Sequence, residues 1–203
     1  MSYVDPCIET QDKEIHGKAR EIGWDSTNAD FNTVFLEASD WGELKKKISQ
    51  NREDADILVF RAGNEELDRK AVSDPRLDVL LSPGKGRSET GVDKVIAEKA
   101  AENGVAIGLS FRRMIKASKK KKKVSVMSDW RQIFRICEKF DTKYLITTGA
   151  EEKFDLRSPK DLKSLVRSLN GDAEKSLDTS DQMLQENMKK SGEDFVRPGV
   201  EKK

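Results

Sequence analysis

Histidine is almost absent from this sequence, which contains His16 alone among 203 residues. Catalytic metal centres and acid–base sites rely heavily on imidazole, so a His-rich metal cluster is excluded. His16 falls in the middle of a helical pattern, and we expect an exposed or half-buried helix residue there. The sequence also lacks a Ser-His-Asp arrangement, a GxSxG elbow and a Walker motif. No dinucleotide-binding fingerprint follows the first predicted strand.

Cysteines are few, and long apolar runs are missing. Cys7 and Cys137 lie far apart and form no CxxC pattern. Their apolar surroundings favour buried free thiols and a reducing compartment over a disulfide. No apolar run approaches the roughly 18 residues that span a bilayer, and the N-terminus shows no signal-peptide pattern. We therefore expect a soluble, cytoplasmic protein with no membrane partner.

Neither sign of charge is in excess. The 38 basic and 37 acidic residues leave a net charge of +1, so any contact with RNA must come from local clusters of Lys and Arg. Charged residues make up 37% of the chain, above the usual share of roughly a quarter. The length suits one domain. We place that domain at residues 1–190 and expect the polar residues 191–203 to be an extended or mobile tail.

Short apolar runs alternate with longer helical patterns along the chain. The runs are near-continuous, as in parallel strands covered on both faces. Six such alternations predict a mainly parallel α/β sheet. We favour a compact, slightly incomplete (β/α) barrel of the TIM type with a weak extra strand near residues 24–29; an open doubly wound sheet is the alternative. The predicted strands are Tyr3–Ile8, Thr33–Ala38, Asp56–Phe60, Leu77–Leu81, Val105–Leu109 and Tyr144–Thr148, and the predicted helices are Asp12–Ile22, Asp40–Gln50, Glu65–Val72, Val92–Asn103, Asp129–Phe140 and Pro159–Leu169.

Basic side chains gather where the predicted strands end. The carboxyl ends of parallel strands share one face of a sheet, so these cations would meet a phosphate backbone together. Guanidinium groups take phosphate oxygens bidentately, and a helix start, marked here by Ser158 and Pro159, adds backbone N–H donors. The strand-end cations are Arg61, Lys85, Arg87, Arg112, Arg113 and Arg157. They predict an RNA-binding face, with no catalytic residue and no metal ligand.

Other interpretations of these basic residues stay open. Arg61 could form a salt bridge inside the barrel, and Arg157 could pair with Asp155 or Asp161. The basic, low-complexity segment Lys116–Lys123 is interpreted as a loop, and it could be solvated without binding anything. Three tryptophans are interpreted as packing anchors rather than base-stacking platforms: Trp24, Trp41 and Trp130.

Several segments along the chain together resemble a known family. They resemble protein component 3 of archaeal ribonuclease P, which is related to the 30-kilodalton subunit of the eukaryotic enzyme. The last matching segment, D-L-R-S-P-K-D-L, is the most specific. Gly108 and Thr148 depart from the family pattern, and the lysine segment looks expanded. The matching segments are Asp68–Leu80, Gly86–Gly91, Val105–Ile107, Trp130–Phe134, Thr148–Ala150 and Asp155–Leu162.

The resemblance implies a barrel related to the polymerase-and-histidinol-phosphatase type, with a degenerate metal site where Asp5–Glu9 replaces an Asp-x-His-x-His pattern. It implies a subunit that binds and shapes the catalytic RNA of ribonuclease P for removal of the 5′ leader from precursor tRNA. The RNA and its Mg²⁺ would carry the cleavage, with this chain paired to protein component 2 and holding no cofactor itself. The match also carries over Arg69, Arg76, Arg87, Arg157 and Lys160, as RNA contacts or as structural pairs. Lys160 joins the predicted RNA-binding set on this basis.

Two alternative functions belong to other classes. A carboxylate-dependent metallo-phosphoesterase on the same barrel would use Asp5 and Glu9 at the end of the first strand, where barrel enzymes place ligands. A protein-interaction scaffold would use an exposed helix face such as that of Asp129–Phe140.

Overall fold

A parallel β-barrel surrounded by helices forms the body of the protein in the computed structural model, which describes residues 2–84, 90–191, 195–197 and 200–201. The third to seventh strands pair in sequence order in one parallel sheet, and the first strand pairs with the second in another parallel ladder. The backbone N–H of Glu9 donates to the carbonyl of Ala150, which joins the first and last units. This interrupted ring confirms the predicted incomplete barrel. The strands are β1 Val4–Asp5, β2 Ser26–Thr27, β3 Thr33–Leu36, β4 Ile57–Arg61, β5 Val79–Leu81, β6 Ala106–Ser110 and β7 Tyr144–Thr147.

Helices follow the strands, and most begin at a polar side chain that accepts a backbone N–H. Asp12, Asp40, Asn64, Asp93 and Ser158 each cap a helix in this way, which satisfies donors that the first helical turn leaves unpaired. None of the described helices has the length and apolarity to cross a bilayer. The helices are α1 Lys13–Glu21, α2 Trp41–Asn51, α3 Glu65–Ala71, α4 Lys94–Asn103, α5 Arg112–Ile115, α6 Lys120–Lys139, α7 Pro159–Ser168 and α8 Ala173–Ser191, with a 3₁₀ turn at Lys153–Asp155.

Two apolar layers hold the barrel together. Alternate strand residues point outward against the helices, as Leu58 and Phe60 of β4 do. Their neighbours Ile57 and Val59 point into the barrel, where they pack with residues from β1, β5, β6 and β7. The period of two follows from strand geometry, and burial on both faces explains why the strands read as unbroken apolar runs. Both Trp24 and Trp130 lie buried in the outer layer, which confirms their prediction as packing anchors.

Helix α8 was missed by the sequence analysis, and it closes one end of the barrel. Met183 and Leu184 of this helix belong to the inner apolar cluster. The side-chain amide of Asn187 donates to the carbonyl of Asp56 and to the Asp78 carboxylate, at 2.9 Å each. Asp56 and Asp78 directly precede β4 and β5, so α8 covers the amino end of the strands. The loops that follow the strands lie at the opposite, carboxyl end of the barrel.

The segment Lys116–Lys123 was predicted to be a loop, and that prediction is right for residues 116–119 but wrong for residues 120–123. Its last four lysines form the first turn of α6, which runs for 20 residues from Lys120 to Lys139. Lysine is a good helix former, and the stripe of α6 that includes Trp130 and Phe134 is buried against the barrel. The tail predicted at 191–203 contains an antiparallel pair, β8 Phe195–Arg197 and β9 Val200–Glu201, and its other residues after Ser191 lie outside the described ones.

Candidate nucleic-acid interface

Arg61 ends β4 and lies in the barrel mouth. Its guanidinium donates to Glu9 at 3.0 Å and to Glu37 at 3.3 Å, and it covers the ring of Phe35 at 4.5 Å. Arg61, Glu9 and Glu37 border a cavity of about 260 Å³, which Ser82 from the next strand end also lines. Arg61 therefore forms the internal salt bridge that stood as its alternative interpretation.

Arg113 follows β6 and holds the turn after β5. Its guanidinium donates to the carbonyls of Pro83 and Gly84 at 3.0 and 3.2 Å, and it pairs with Asp129 at 3.1 Å. Burial raises the pKa of Asp129, against the opposing effect of the Arg113 charge. Arg113 thus fixes the start of the segment that carries two more of the predicted cations.

Gly91 closes that segment against Gly84. The φ of Gly91 is +76°, and a Cβ atom there would lie 2.0 Å from the backbone nitrogen of Gly84. Only glycine fits such a close backbone approach. Lys85 and Arg87 lie between these two glycines in sequence, outside the described residues, so they remain predictions.

Arg112 forms ion pairs beside the mouth. Its Nε donates to Asp155 at 3.0 Å, and its Nη2 pairs with Glu151. The Asp155 carboxylate is buried and also accepts the backbone N–H groups of Glu151 and Glu152. The Asp155 carboxylate therefore joins the loop after β7 to the β6 unit, alongside the ion pair of Glu151. Asp155 was missed as an organising residue; the signal available was Glu152 three positions earlier, since the two form a capping box.

Arg157 has no ion-pair partner among the described carboxylates. Its Nη1 donates to the carbonyls of Phe154 and Leu156 at 2.9 and 2.5 Å. Its guanidinium carbon lies 5.2 Å from the ring centre of Phe111. The alternative pairings with Asp155 and Asp161 are not formed, because Asp155 binds Arg112 and Asp161 caps α7. None of the carboxylates that the structure describes therefore compensates the charge of Arg157.

Lys160 stands in the first turn of α7, next to Arg157. It is exposed and makes no ion pair with a described carboxylate. Ser158 caps this helix and Pro159 occupies its first turn, as the sequence signature predicts. A fixed helix start thus carries Lys160, with Arg157 just before it, and neither pairs with a carboxylate in the described part of the chain.

The structure brings the described members of the predicted set to one end of the barrel. Arg61 closes β4, Arg112 and Arg113 follow β6, and Arg157 and Lys160 follow β7. This is the carboxyl end of the strands, opposite α8. The three arginines nearest the barrel are paired to carboxylates, whereas Arg157 and Lys160 pair with none of the carboxylates in the described ranges. Arg69 and Arg76 belong elsewhere: they pair with Asp93 and Asp74, so both have structural partners.

Asp5 occupies the position of the expected degenerate metal site. Its carboxylate is fully buried and accepts hydrogen bonds from the hydroxyls of Thr147 and Thr148, and from the backbone N–H of Thr148 and Cys7. Burial raises the pKa of Asp5 despite these donors. Among the described residues, no three His, Cys, Asp or Glu side chains are grouped so that they could hold a metal ion. Glu9 is turned toward Arg61 instead.

His16 is buried, so the expectation of an exposed or half-buried residue was wrong. Its Nε2 lies 2.9 Å from the carbonyl of Thr10 and its Nδ1 lies 2.8 Å from the hydroxyl of Thr27. Since a carbonyl can only accept, Nε2 carries a proton. The imidazole links α1 to β2 and the loop before α1. Cys7 and Cys137 are buried free thiols, as predicted, and burial raises the pKa of both.

Comparison with known proteins agrees with this architecture. The protein component 3 of ribonuclease P from Methanosarcina acetivorans is 28% identical over 173 residues, which cover 84% of this chain and 72% of the relative. The component 3 from Methanothermobacter thermautotrophicus is 32% identical over 147 residues, which cover 71% of this chain and 60% of that relative. A chain in the cryo-EM structure of archaeal ribonuclease P with mature tRNA superposes with a TM-score of 0.80 and 23% identity, over 98% of this chain and 87% of that one. At that identity the superposition supports the fold.

A family model provides the assignment. The model of RNase P subunit p30 matches residues 12–191, a span that includes every helix from α1 to α8, as well as Arg157 and Lys160. This chain belongs to the family of RNase P subunit p30.

Proposed function

We propose that this chain is a protein subunit of ribonuclease P, which binds and stabilises the catalytic RNA while the 5′ leader is removed from precursor tRNA. The observation that carries the proposal is the pair Arg157 and Lys160, two cations at a fixed helix start that form no ion pair with a described carboxylate. Such groups can neutralise phosphates and release counterions. Arg61, Arg112 and Arg113 shape the surface around them through their ion pairs. Lys85 and Arg87, outside the described residues, stay predicted members of the same RNA-binding set.

The chain contributes binding rather than chemistry. In this proposal Mg²⁺ is held by the RNA subunit, which cleaves the phosphodiester bond, so the whole assembly is the endonuclease. The side chains at the barrel mouth fit that division of labour, because Asp5 is fully occupied by donors of its own chain and Glu9 is paired to Arg61. Both carboxylates therefore serve the fold.

The RNA subunit and precursor tRNA are the nucleic-acid partners, and protein component 2 is the protein partner. We place the assembly in the cytoplasm, where a reducing environment suits two buried free thiols.

The test is reconstitution of precursor-tRNA cleavage with the RNA subunit and component 2, with and without this chain, over a series of Mg²⁺ concentrations. Adding the chain should lower the Mg²⁺ needed for cleavage, because protein cations replace part of the charge screening that Mg²⁺ supplies. The double variant Arg157→Ala/Lys160→Ala should lose most of this effect, while Arg167→Ala, an exposed arginine at the far end of α7, should keep it. An unchanged Mg²⁺ requirement at every concentration would contradict the proposal.

A further inference from the structure

Phe154 is displayed on the surface beside these cations. Its side chain is 77% exposed, and among the described side chains no other aromatic is classed as exposed. It lies in the 3₁₀ turn Lys153–Asp155, between β7 and α7. So exposed a side chain contributes little to the apolar core, so packing of the fold does not explain an aromatic residue at this position.

The backbone under Phe154 is fixed. Glu152 and Asp155 cap the turn reciprocally, and the Asp155 carboxylate is held below the surface by Arg112. The carbonyl of Phe154 accepts a hydrogen bond from Arg157. Because the turn is anchored at both ends, its backbone is already ordered before a ligand binds, which lowers the entropic cost of binding to the ring.

The charges around the ring favour an anionic ligand. Lys153 Nζ lies 5.7 Å from the ring centre, and Arg157 and Lys160 follow within the same loop and helix start. The nearby acidic residues are already compensated: Glu151 pairs with Arg112, and Glu152 lies 3.6 Å from Lys116. Lys153 itself lies 4.0 Å from Glu14, so Arg157 and Lys160 are the cations beside this ring that pair with no described carboxylate. An aromatic face beside such cations matches the way proteins hold single-stranded nucleic acid, with bases stacked on rings and phosphates beside Lys and Arg.

A protein partner fits this surface less well. Protein interfaces are built around a contiguous core depleted of charged residues, whereas the sequence neighbours of Phe154 on this surface are charged: Glu151, Glu152, Lys153 and Lys160. We propose that Phe154 is the stacking platform for an unpaired nucleobase of RNA bound at the barrel mouth, with Arg157 and Lys160 receiving the adjacent phosphates. This inference rests on the proposed function and names one contact of that same surface.

The experiment measures binding of the full chain to the ribonuclease P RNA of its own organism, with component 2 present. Phe154→Ala should weaken binding about 5- to 100-fold, the range that one lost base stack gives. Phe154→Tyr and Phe154→Trp should restore it, because they keep a π face. Phe154→Leu is the matched control, since it keeps an apolar side chain without a ring and should bind as weakly as alanine. Thermal unfolding should be the same for all four variants.

A spectroscopic readout accompanies the affinities. Trp24 and Trp130 are buried and Trp41 of α2 is partly buried, so the wild-type signal with and without RNA is subtracted as the background. The remaining fluorescence of Phe154→Trp should be quenched by the RNA at saturating concentration. Full affinity in Phe154→Ala or in Phe154→Leu would overturn the inference. Loss of component 2 binding by Phe154→Ala in the absence of RNA would also overturn it, in favour of a protein contact.

The outcome separates this inference from the proposed function. If wild-type chain binds the RNA and lowers the Mg²⁺ requirement while Phe154→Ala behaves identically, only the stacking contact fails. If wild-type chain neither binds the RNA nor changes the Mg²⁺ requirement, the proposed function itself fails, and the stacking contact with it.

Discussion

The indole Nε1–H of Trp24 donates a 2.9 Å hydrogen bond to the backbone carbonyl of Arg157, across 133 positions of sequence. Trp24 is 2% exposed and packs in the outer apolar layer. A core anchor therefore fixes the backbone from which Arg157 extends to the surface. The carbonyls of Phe154 and Leu156 then hold its guanidinium. The arginine is positioned before any ligand arrives.

Replacing Arg157 by alanine should weaken RNA binding and reduce its salt dependence. Removing one phosphate contact lowers the slope of log K against log [salt] by about 0.7–0.9. The free energy of unfolding should change by less than about 0.5 kcal/mol, as for most surface substitutions. The measurement is the affinity for RNA at a series of salt concentrations between roughly 50 and 200 mM. Arg167→Ala is the control. An unaltered slope would count against a phosphate contact.

Arg112→Ala should act mainly on stability. The buried Asp155 carboxylate would lose its guanidinium partner and keep only backbone donors, and orphaning a buried polar group costs about 1–3 kcal/mol. Chemical denaturation of Arg112→Ala and Arg157→Ala side by side tests this contrast. Equal stability of the two variants would show that Asp155 does not depend on Arg112.

Gly91→Ala should disturb the segment that carries Lys85 and Arg87. The added methyl group would overlap the Gly84 backbone at a left-handed φ. Gly104 is the matched control, because its φ is +72° and nothing lies within 4 Å of a built Cβ. Gly104→Ala should cost about 1 kcal/mol from backbone strain alone. Gly91→Ala should lower the free energy of unfolding by more than that and should also weaken RNA binding. If the two variants have equal stability and equal affinity for RNA, the close approach of Gly91 to Gly84 has no effect on either.

Asp5→Asn should change the pH dependence of stability. Burial raises the folded-state pKa of Asp5 above its ordinary value of 3.8, so the folded protein retains a proton that the unfolded chain has lost. This contribution is fully present below pH 3.8 and is lost as pH rises through the folded pKa. Denaturation of both proteins from pH 4 upward should show the free energy of unfolding of wild type falling relative to the variant. Parallel pH profiles would mean that Asp5 has an ordinary pKa.

Those parts of the fold that follow from local patterns were predictable from sequence. The near-continuous run at Ile57–Arg61 indicated a strand, and Ser158, Pro159 and Asp161 indicated the start of α7. Helix α8 was missed because its buried stripe includes small polar residues such as Ser176 and Ser180, which carry little apolar signal. The start of α6 was missed because a lysine run resembles a solvated loop, although its helix propensity is high.

The sequence predicted at which end of the barrel the basic residues lie, but not which of them form ion pairs. Because Arg61, Arg112 and Arg157 follow predicted strands, we expected them at the carboxyl end of the sheet. The sequence alone left open which of them would meet a carboxylate, because that depends on long-range contacts such as Arg61 with Glu9 and Arg112 with Asp155. Phe154 was missed since composition does not show whether an aromatic residue is buried; its place between charged residues was the available signal.

The most direct measurement of the central claim is cleavage of bound RNA by hydroxyl radicals generated at single sites on the chain. Both native cysteines are buried, so an iron chelate can be attached selectively to Lys160→Cys at the barrel mouth or to Glu53→Cys, an exposed position before β4 at the opposite end. In the complex with the RNA subunit and component 2, the chelate at position 160 should cut the RNA strongly and the chelate at position 53 weakly. Stronger cutting from position 53 would place the RNA on the wrong end of the barrel and contradict the account.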